Sequence, residues 1–397
     1  MLQYTYQIMQ NTGGFMEKKT NIKELWNKSL PWILQIIIGL ILGISGAIYS
    51  MKNNIPLGNS FLELVIILTL FAVTLFIHII LHEGGHLIFG LLSNFEFVSF
   101  RVGCLTLVKE NNKFLIKKFK IAGTGGQCLM IPKMDNYKEC PYILYNLGGV
   151  ILNLLVSIFC FYIYVITPTT KYMDTILLAM VVSGVCTFVL NGIPMKVGGV
   201  TNDGYNLISI RKNDLAKYCF YTQLKVNGLL SKGIRFKGMD KKWFELDENS
   251  DFSNPLITSI KCLENNYYTD IMDFDKAKKC CEFLLNYEPK IIKLYENELK
   301  CDLLFLEIMG NRDEDKINKL YTKELKSYIK ATNCYIARKR LMYAYALIIE
   351  KDLEKAEKLL KEFKKVQNTY PIKGEIESEV ELVNYITDKY NTSKLFT

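Results

Sequence analysis

The three histidines of this 397-residue chain are spaced so that they fall one helical turn apart. His78, His82 and His86 follow one another at intervals of four residues, and Glu83 comes directly after the second. His82-Glu83-Gly84-Gly85-His86 reads H-E-x-x-H, in which two imidazoles on one face of a helix bind a zinc ion and the glutamate acts as a general base. The spacing therefore predicts a hydrolytic zinc site.

The residues around this motif are apolar. From Phe61 to Leu92 the chain holds almost no charge, and at about 1.5 Å per residue this run is long enough to cross a bilayer. In a soluble helix the same motif is commonly only a solvated face, but the neighbours from Ile80 to Leu91 leave no such face. Ionisable groups in a membrane helix are costly and usually functional, so we expect the zinc site to lie below the membrane surface.

Composition and hydropathy divide the chain into a membrane part and a water-soluble part. Half of the residues are hydrophobic, and the long apolar runs end near Gly204, after which the sequence is charged and amphipathic. Four runs are long enough to be membrane spans. They are 33–50, 62–92, 142–166 and 174–194. We interpret the first as a retained anchor, because it lacks a clear signal-cleavage site.

Basic residues set the expected orientation. They cluster before the first span and between the second and third, whereas the short loops at 51–61 and 167–173 hold only Lys52 and Lys171. By the positive-inside tendency, both termini and the 93–141 segment face the cytoplasm of a multi-pass cell-membrane protein. An anionic inner leaflet accounts for the formal charge of +9, so no nucleic-acid partner is expected. Residues 1–15 have no interpretable pattern, and we expect the native chain to begin at Met16.

The eleven cysteines show no C-x-x-C spacing and are scattered through spans and helices alike. This usage is typical of reduced thiols, so neither a disulfide framework nor a zinc ribbon is expected.

A catalytic zinc needs a third protein ligand besides the two histidines. His78 lies two turns from His86, about 12 Å along the axis, so one straight helix cannot bring all three imidazoles to one ion. We expect His78 to be a packed group or one that supports the ligands indirectly. Two motifs near the end of the fourth span, Asn191-Gly192-Ile193-Pro194 and Asn202-Asp203-Gly204, offer a better source of the third ligand.

Together these motifs resemble the site-2 proteases, intramembrane zinc metalloproteases that cut transmembrane or membrane-associated substrates. His82, Glu83 and His86 match the family's H-E-x-x-H, and the two later motifs match its N-x-x-P followed by D-G. The resemblance covers residues 62–210. It implies that Zn²⁺ is held by His82, His86 and Asp203, that Glu83 is catalytic, and that Asn191 belongs to the substrate site.

Two features depart from the family pattern. Asp203 follows Asn191 by twelve residues, whereas the family interval is about eight. The family's G-P-x-x-N motif is matched here by a segment from Gly148 to Asn153 in which valine replaces the proline. For Asn153 we leave two roles open, substrate binding and a hydrogen bond between membrane helices.

Between Phe95 and Ile131 the sequence has the alternation of short strands, and residues 123–130 resemble the family's glycine-containing strand beside the active site. A substrate helix must be unwound before its carbonyls can be attacked. Gly125 and Gly126 permit close approach of a backbone, and an open strand edge can pair with an unwound substrate. We favour this docking role over an ordinary cytosolic hairpin.

After a charged, loop-like stretch near 231–255, the chain is expected to form consecutive amphipathic helices to about Ile386. Similar segments recur at a spacing of about forty residues, which suggests a short solenoid of the tetratricopeptide kind. Such a domain either stabilises the protein or binds a partner or a substrate tail.

The sequence therefore predicts an α-helical polytopic membrane protein of about four spans, with a small cytoplasmic β segment and a C-terminal all-α domain. The predicted units are an N-terminal segment 1–32, an accessory anchor 33–61, a metalloprotease core 62–210 and a helical domain 211–397. Its predicted function is zinc-dependent hydrolysis of peptide bonds in membrane-embedded or membrane-associated proteins or peptides. One alternative is a catalytically inactive adaptor that acts through the helical domain; a metal transporter would need more ligands across the spans.

Overall fold

The computed structural model describes residues 61–110, 113–119, 124–168, 170–197 and 200–395, together with Gly43. The predicted anchor at 33–50, Gly43 apart, and the predicted start at Met16 lie outside the described residues.

Three long apolar helices form the membrane part. They are α1 (Phe61–Leu92), α2 (Tyr142–Ile166) and α3 (Lys171–Gly192). Among the described residues, these are the three segments long and apolar enough to cross a membrane. Large side chains such as Leu68, Phe76 and Phe159 are exposed on their outer faces, as expected for a surface that contacts lipid. The spans predicted at 62–92, 142–166 and 174–194 correspond to these helices. The remaining predicted span, the first one at 33–50, is not among them.

Small residues let these helices approach closely. A Cβ atom on Gly85 of α1 would overlap the carbonyl of Gly148 on α2, and one on Gly149 would lie 2.5 Å from the His82 ring. On α3, a Cβ on Gly184 would overlap Ser157 and lie 2.5 Å from the His78 ring. Contacts of this kind are typical of membrane helices, where small residues allow backbone-to-backbone packing. They place the histidines of α1 between α2 and α3.

A small antiparallel sheet follows α1. Its strands are β1 (Phe95–Val102), β2 (Leu105–Glu110), β3 (Lys113–Lys118) and β4 (Gly126–Pro132), in the spatial order β3-β2-β1-β4. The register of β1 and β4 pairs Val102 with Gly126 and Phe95 with Pro132. Strand β4 is therefore an edge of the sheet, and Gly126 lies at the end of β4 that is nearest Glu83.

A short hairpin and a helix follow α3. The hairpin strands are β5 (Lys196–Val197) and β6 (Val200–Thr201), and helix α4 (Asp203–Lys212) begins immediately afterwards. The predicted boundary at 210/211 falls within α4. Asn213 separates α4 from the next helix and caps it, because its Oδ1 accepts a hydrogen bond from Ala216 N at 3.2 Å.

The remainder of the chain is helical, as the amphipathic pattern predicted. The helices are α5 (Asp214–Ser231), α6 (Pro255–Asp270), α7 (Phe274–Leu285), α8 (Lys293–Met309), α9 (Glu314–Leu320), α10 (Lys323–Ala331), α11 (Ile336–Ala344), α12 (Leu353–Gln367) and α13 (Lys373–Leu395). A π-helical segment, Tyr345–Glu350, extends α11. Aspartates cap several of these helices, among them Asp273 and Asp352. The tetratricopeptide arrangement stays a prediction.

The sheet and the helical domain share one hydrophobic core. Phe95 and Met130 of the sheet, Phe220 of α5 and Phe305 of α8 are buried in the same cluster. Because burial of apolar surface is the main stabilising term in folding, the helical domain is packed onto the sheet over a continuous interface.

Candidate metal centre and active site

His82 and His86 face each other across one turn of α1. Their Nε2 atoms are 3.1 Å apart and their rings meet edge to face, with centroids 4.7 Å apart. Both residues are buried, each with 8% of its surface exposed. Two Nε2 atoms that converge in a buried site favour a shared cation, since each ring nitrogen offers a lone pair when the imidazole is neutral.

Asp203, the first residue of α4, completes the group. Its Oδ2 is 3.0 Å from His82 Nε2 and 3.5 Å from His86 Nε2, and the three residues can present ligand atoms that all lie within 4.8 Å of one another. Ligand atoms about 2.0–2.1 Å from a tetrahedral zinc lie about 3.3 Å from one another. The spacing of these three atoms thus fits one zinc ion.

The surroundings of Asp203 also favour a cation. Among the described residues, its buried Oδ2 atom has no hydrogen-bond partner of good geometry. Burial alone would raise the pKa of this carboxyl, but the adjacent imidazoles of His86 and His82 outweigh that effect and hold the pKa below its ordinary value. An ionised, unsatisfied oxygen beside two imidazole nitrogens is what a metal ligand needs before the metal binds.

The hairpin between α3 and α4 explains how Asp203 reaches the histidines after twelve residues. Strands β5 and β6 pair Lys196 with Thr201, and the base of the hairpin is closed by a hydrogen bond from Asn202 N to Met195 O at 3.2 Å. The additional residues therefore form a hairpin whose two ends, Met195 and Asn202, are adjacent, so that Asp203 lies next to the end of α3.

Asn202 fixes this junction. Its Oδ1 accepts hydrogen bonds from Met195 N at 3.0 Å and from Tyr205 N at 2.9 Å, which caps α4. Its Nδ2 donates to the carbonyls of Leu190 at 2.7 Å and Ile193 at 2.5 Å, at the end of α3. One side chain therefore joins the two helices and sets the position of the residue that follows it, Asp203.

His86 is oriented by a backbone carbonyl of α2. Its Nδ1 lies 2.7 Å from Tyr145 O, and a neutral imidazole that donates from Nδ1 leaves Nε2 free to bind a metal. The Tyr145 hydroxyl donates to Cys128 O on β4 at 2.8 Å, and its ring stacks on Phe95 at 4.8 Å. Sequence reasoning missed Tyr145, because a carbonyl acceptor has no signature in the residue type.

His82 is oriented by Asn153 and, through it, by His78. Asn153 Nδ2 lies 3.3 Å from His82 Nδ1, and Asn153 Oδ1 lies 3.1 Å from His78 Nδ1. His78 Nε2 lies 2.9 Å from Met180 O on α3. A chain of hydrogen bonds thus crosses all three membrane helices, and His78 stands two links away from the group of three.

Glu83 lies on the β4 side of α1. It is 7% exposed, and a Cβ placed on Gly126 would lie 2.5 Å from its Oε1. The adjacent carbonyl, Gly126 O, accepts a hydrogen bond from Arg101 Nη2 at 3.0 Å, and Arg101 also donates to Gly103 O at 2.9 Å. Arg101 is buried and ties the start of β4 to the end of β1. In the sequence it is only one of the basic residues between the second and third spans.

Two other residues singled out in the sequence take different places. A Cβ placed on Gly125 would meet Ile79 at 3.4 Å, an ordinary contact distance, and the carbonyl of Gly125 accepts a hydrogen bond from Gly103 N at 2.8 Å. Asn191 donates from Nδ2 to Thr187 O at 3.0 Å, one turn back along α3. The described hydrogen bond of Asn191 therefore stays within its own helix.

Two imidazoles, one carboxylate and a buried glutamate within a bundle of apolar helices are the parts of a metal-dependent hydrolase set in a membrane. The model of the family described as Peptidase family M50 matches residues 70–391. The chain therefore belongs to this family, the site-2 protease family of membrane metalloproteases. No curated protein and no solved structure matches the chain. The match extends beyond residue 210, so the helical domain is included in the family model.

Proposed function

We propose that this protein is a zinc-dependent intramembrane endopeptidase. The observation that carries the proposal is the convergence of His82 Nε2, His86 Nε2 and Asp203 Oδ2 at one buried point of a membrane-helix bundle. Family membership supports it, because Peptidase family M50 comprises metalloendopeptidases. The substrates are membrane-embedded or membrane-associated proteins or peptides.

Zinc held by these three residues would polarise the scissile carbonyl and lower the pKa of the attacking water. Glu83 accepts the proton of that water as the new C–O bond forms and delivers it to the amine nitrogen as the C–N bond breaks. The burial of Glu83 in α1, beside β4, puts this carboxylate next to the strand on which we place the substrate.

The hydrogen bonds that link His82, Asn153 and His78 are compatible with metal binding by His82 Nε2. His82 can bind metal through Nε2 only if Nδ1 carries the proton, so its partner must be an acceptor. A half-turn of the Asn153 amide, whose two ends are interchangeable in shape, presents Oδ1 to His82 and Nδ2 to His78 Nδ1. His78 then donates from Nε2 to Met180 O. Every donor in the chain has an acceptor, and Asn153 is assigned to positioning of His82.

Strand β4 is the proposed docking site for the substrate backbone. It pairs with β1 on one side, and its Gly126 leaves no side chain between the strand and Glu83. An unwound substrate added along β4 would lay its carbonyls beside the metal centre, with backbone hydrogen bonds supplying the affinity. In this proposal Gly126 is the main point of contact for the substrate, and Gly125 lies beside it. Asn191, at the end of α3, is also assigned to the substrate site.

The proposed orientation puts both termini in the cytoplasm, with the 33–50 anchor as a fourth span beside the three helices. The sheet and the helical domain then lie on the same, cytoplasmic, side. A helical domain in that place can receive a partner protein or the soluble tail of a substrate.

The deciding experiment compares membrane peptides and proteins from three strains: a deletion, the deletion carrying the wild-type gene, and the deletion carrying Glu83→Gln. A protease predicts that the deletion and Glu83→Gln accumulate the same uncleaved membrane protein and lack the same product. An inactive adaptor predicts that Glu83→Gln restores the wild-type pattern, and that result would overturn the proposal.

A further inference from the structure

A cavity of about 340 Å³ lies where the sheet meets the helical domain, away from the metal centre. Gln127 and Leu129 of β4 form one wall, and residues of helices α5, α6, α8, α11 and α13 form most of the others. Its volume is in the range of small-molecule sites, about 300–1,000 Å³. No step of the proposed proteolysis uses it.

The charges around the cavity do not balance. Arg338 Nη2 pairs with Glu298 Oε2 at 2.5 Å, and Arg340 Nε pairs with Glu379 Oε2 at 2.5 Å. These ion pairs use both arginines of the wall. The two remaining carboxyls, those of Asp302 and Glu375, also line the cavity.

Asp302 and Glu375 have only neutral partners. Asn265 Nδ2 donates to Asp302 Oδ2 at 2.9 Å, and the Tyr370 hydroxyl donates to Glu375 Oε2 at 2.8 Å. Within the described ranges, neither carboxyl has a cation within ion-pair distance. Burial raises the pKa of Asp302 to about 6 and that of Glu375 to about 7. Arg338 and Arg340 lower the pKa of Asp302 only in part. A bound cation within ion-pair distance would restore the ionised form of both buried carboxyls.

An aromatic cluster lies beside these carboxyls. Phe119 meets Tyr370 edge to face, with centroids 5.0 Å apart, and lies 5.9 Å from Tyr335. All three residues line the cavity. Aromatic rings next to carboxylates are the surroundings that organic cations prefer, because the ring face is electron-rich and the alkyl chain is apolar.

One further polar group at the wall is incomplete. Arg340 is 3% exposed and lines the cavity, and its Nη1 has no hydrogen-bond partner among the residues that the structure describes. The guanidinium lies over the Phe305 ring at 3.8 Å. The wall thus lacks a cation for the two carboxyls that have no ion-pair partner and an acceptor for Arg340 Nη1.

We propose that this cavity binds a small organic cation of the amine or guanidine class. The charged head lies against Asp302 and Glu375, the alkyl chain lies along the aromatic cluster, and an acceptor oxygen on the ligand satisfies Arg340. The ligand also touches β4 on the side opposite the metal centre, since Gln127 and Leu129 line the cavity and Gly126 abuts Glu83. A ligand that touches β4 could regulate substrate docking on that strand, and this consequence rests on the proposed function. Binding of the ligand does not depend on that function.

The test uses the purified full-length chain in detergent and two probes of matched shape, L-arginine and L-citrulline, which differ in the charge of the side-chain head. Calorimetry in mildly alkaline buffer should show saturable binding of L-arginine, at least about tenfold tighter than that of L-citrulline. Equal affinities, or no saturable binding of L-arginine at millimolar concentration, would overturn the proposal.

Two isosteric variants locate the site. Asp302→Asn and Glu375→Gln should each weaken L-arginine binding at least about tenfold. The matched control is Glu296→Gln, a carboxyl on the same helix as Asp302 but outside the cavity, which should bind like the wild type. Unchanged binding in Glu375→Gln would contradict the proposal.

Hydrogen–deuterium exchange gives a readout that requires neither a mutation nor protease activity. L-arginine should slow amide exchange in β4 and at the start of α13 of the wild type. Binding measured as heat without any protection of these two segments would place the ligand elsewhere and refute the site. Because neither measurement depends on cleavage, an inactive protease would leave this test intact.

Discussion

Gly126 and Glu83 are packed so closely that a Cβ atom on Gly126 would lie 2.5 Å from Glu83 Oε1 and 2.6 Å from its Cγ. The strand edge and the buried carboxylate are therefore fitted to each other, and any side chain at residue 126 must displace one of them.

The first prediction follows from that contact. Gly126→Ala should reduce cleavage of an identified substrate at least about tenfold, because the new methyl group displaces either β4 or Glu83, and zinc should be retained. The control is Gly125→Ala, whose Cβ would meet Ile79 at 3.4 Å or more. Cleavage and substrate crosslinking are measured together, and normal cleavage by Gly126→Ala would show that the strand is only structural.

The second prediction separates chemistry from binding. Glu83→Gln keeps the shape of the side chain but cannot accept a proton, so cleavage should fall by about 10²–10⁴ or more while zinc and substrate remain bound. Single-turnover rates with substrate crosslinking as the binding measurement test this. Wild-type cleavage by Glu83→Gln would exclude Glu83 as the base.

The third prediction concerns the metal. Purified wild-type protein should hold about one zinc per chain, and His82→Ala, His86→Ala and Asp203→Ala should each lose it on dialysis. His78→Ala should keep zinc at saturation, with affinity reduced by about 10–100-fold because the orientation of His82 is lost. Elemental analysis gives the occupancy; full occupancy in Asp203→Ala would reject it as the third ligand.

The fourth prediction uses two adjacent glycines of the zinc motif. A Cβ on Gly84 meets nothing within 4 Å, whereas one on Gly85 would overlap the Gly148 backbone. Gly84→Ala should leave zinc content and thermal stability unchanged or slightly improved, since alanine favours helices. Gly85→Ala should separate α1 from α2 and lower both. Equal behaviour of the two variants in a thermal unfolding assay would argue against this helix crossing.

The fifth prediction tests the orientation. A reporter after Tyr205 and one in the segment 113–118 should both be cytoplasmic, and a reporter near Asn54 should be external. Protease protection in intact cells distinguishes the two sides. An external signal from the reporter after Tyr205 would invert the proposed topology.

Local patterns made much of this predictable from sequence. The three described spans could be predicted from the length of their apolar runs. The position of His82 and His86 on one face of α1 could be predicted from their spacing of four residues. The strand segment follows from alternation before Ile131. Asn153 was left between two roles because residue type does not say which neighbour an amide meets.

Other parts of the site could not be predicted, because they depend on tertiary contacts. The Tyr145 carbonyl that orients His86 could belong to any residue type. Arg101 reads as one more cytoplasmic cation until the fold buries it against β4. Asn202 gave a usable signal, since an asparagine before Asp-Gly and a helix is a common cap, but its bonds to the end of α3 depend on the hairpin.

Because of the β5–β6 hairpin, the position of Asp203 beside His82 and His86 does not depend on the number of residues between α3 and α4. Because Asn202 binds both Leu190 O and Tyr205 N, we expect a change in loop length between Met195 and Asn202 to leave the aspartate in place. A motif search that demands a fixed interval before Asp-Gly would therefore overlook family members that carry such a hairpin.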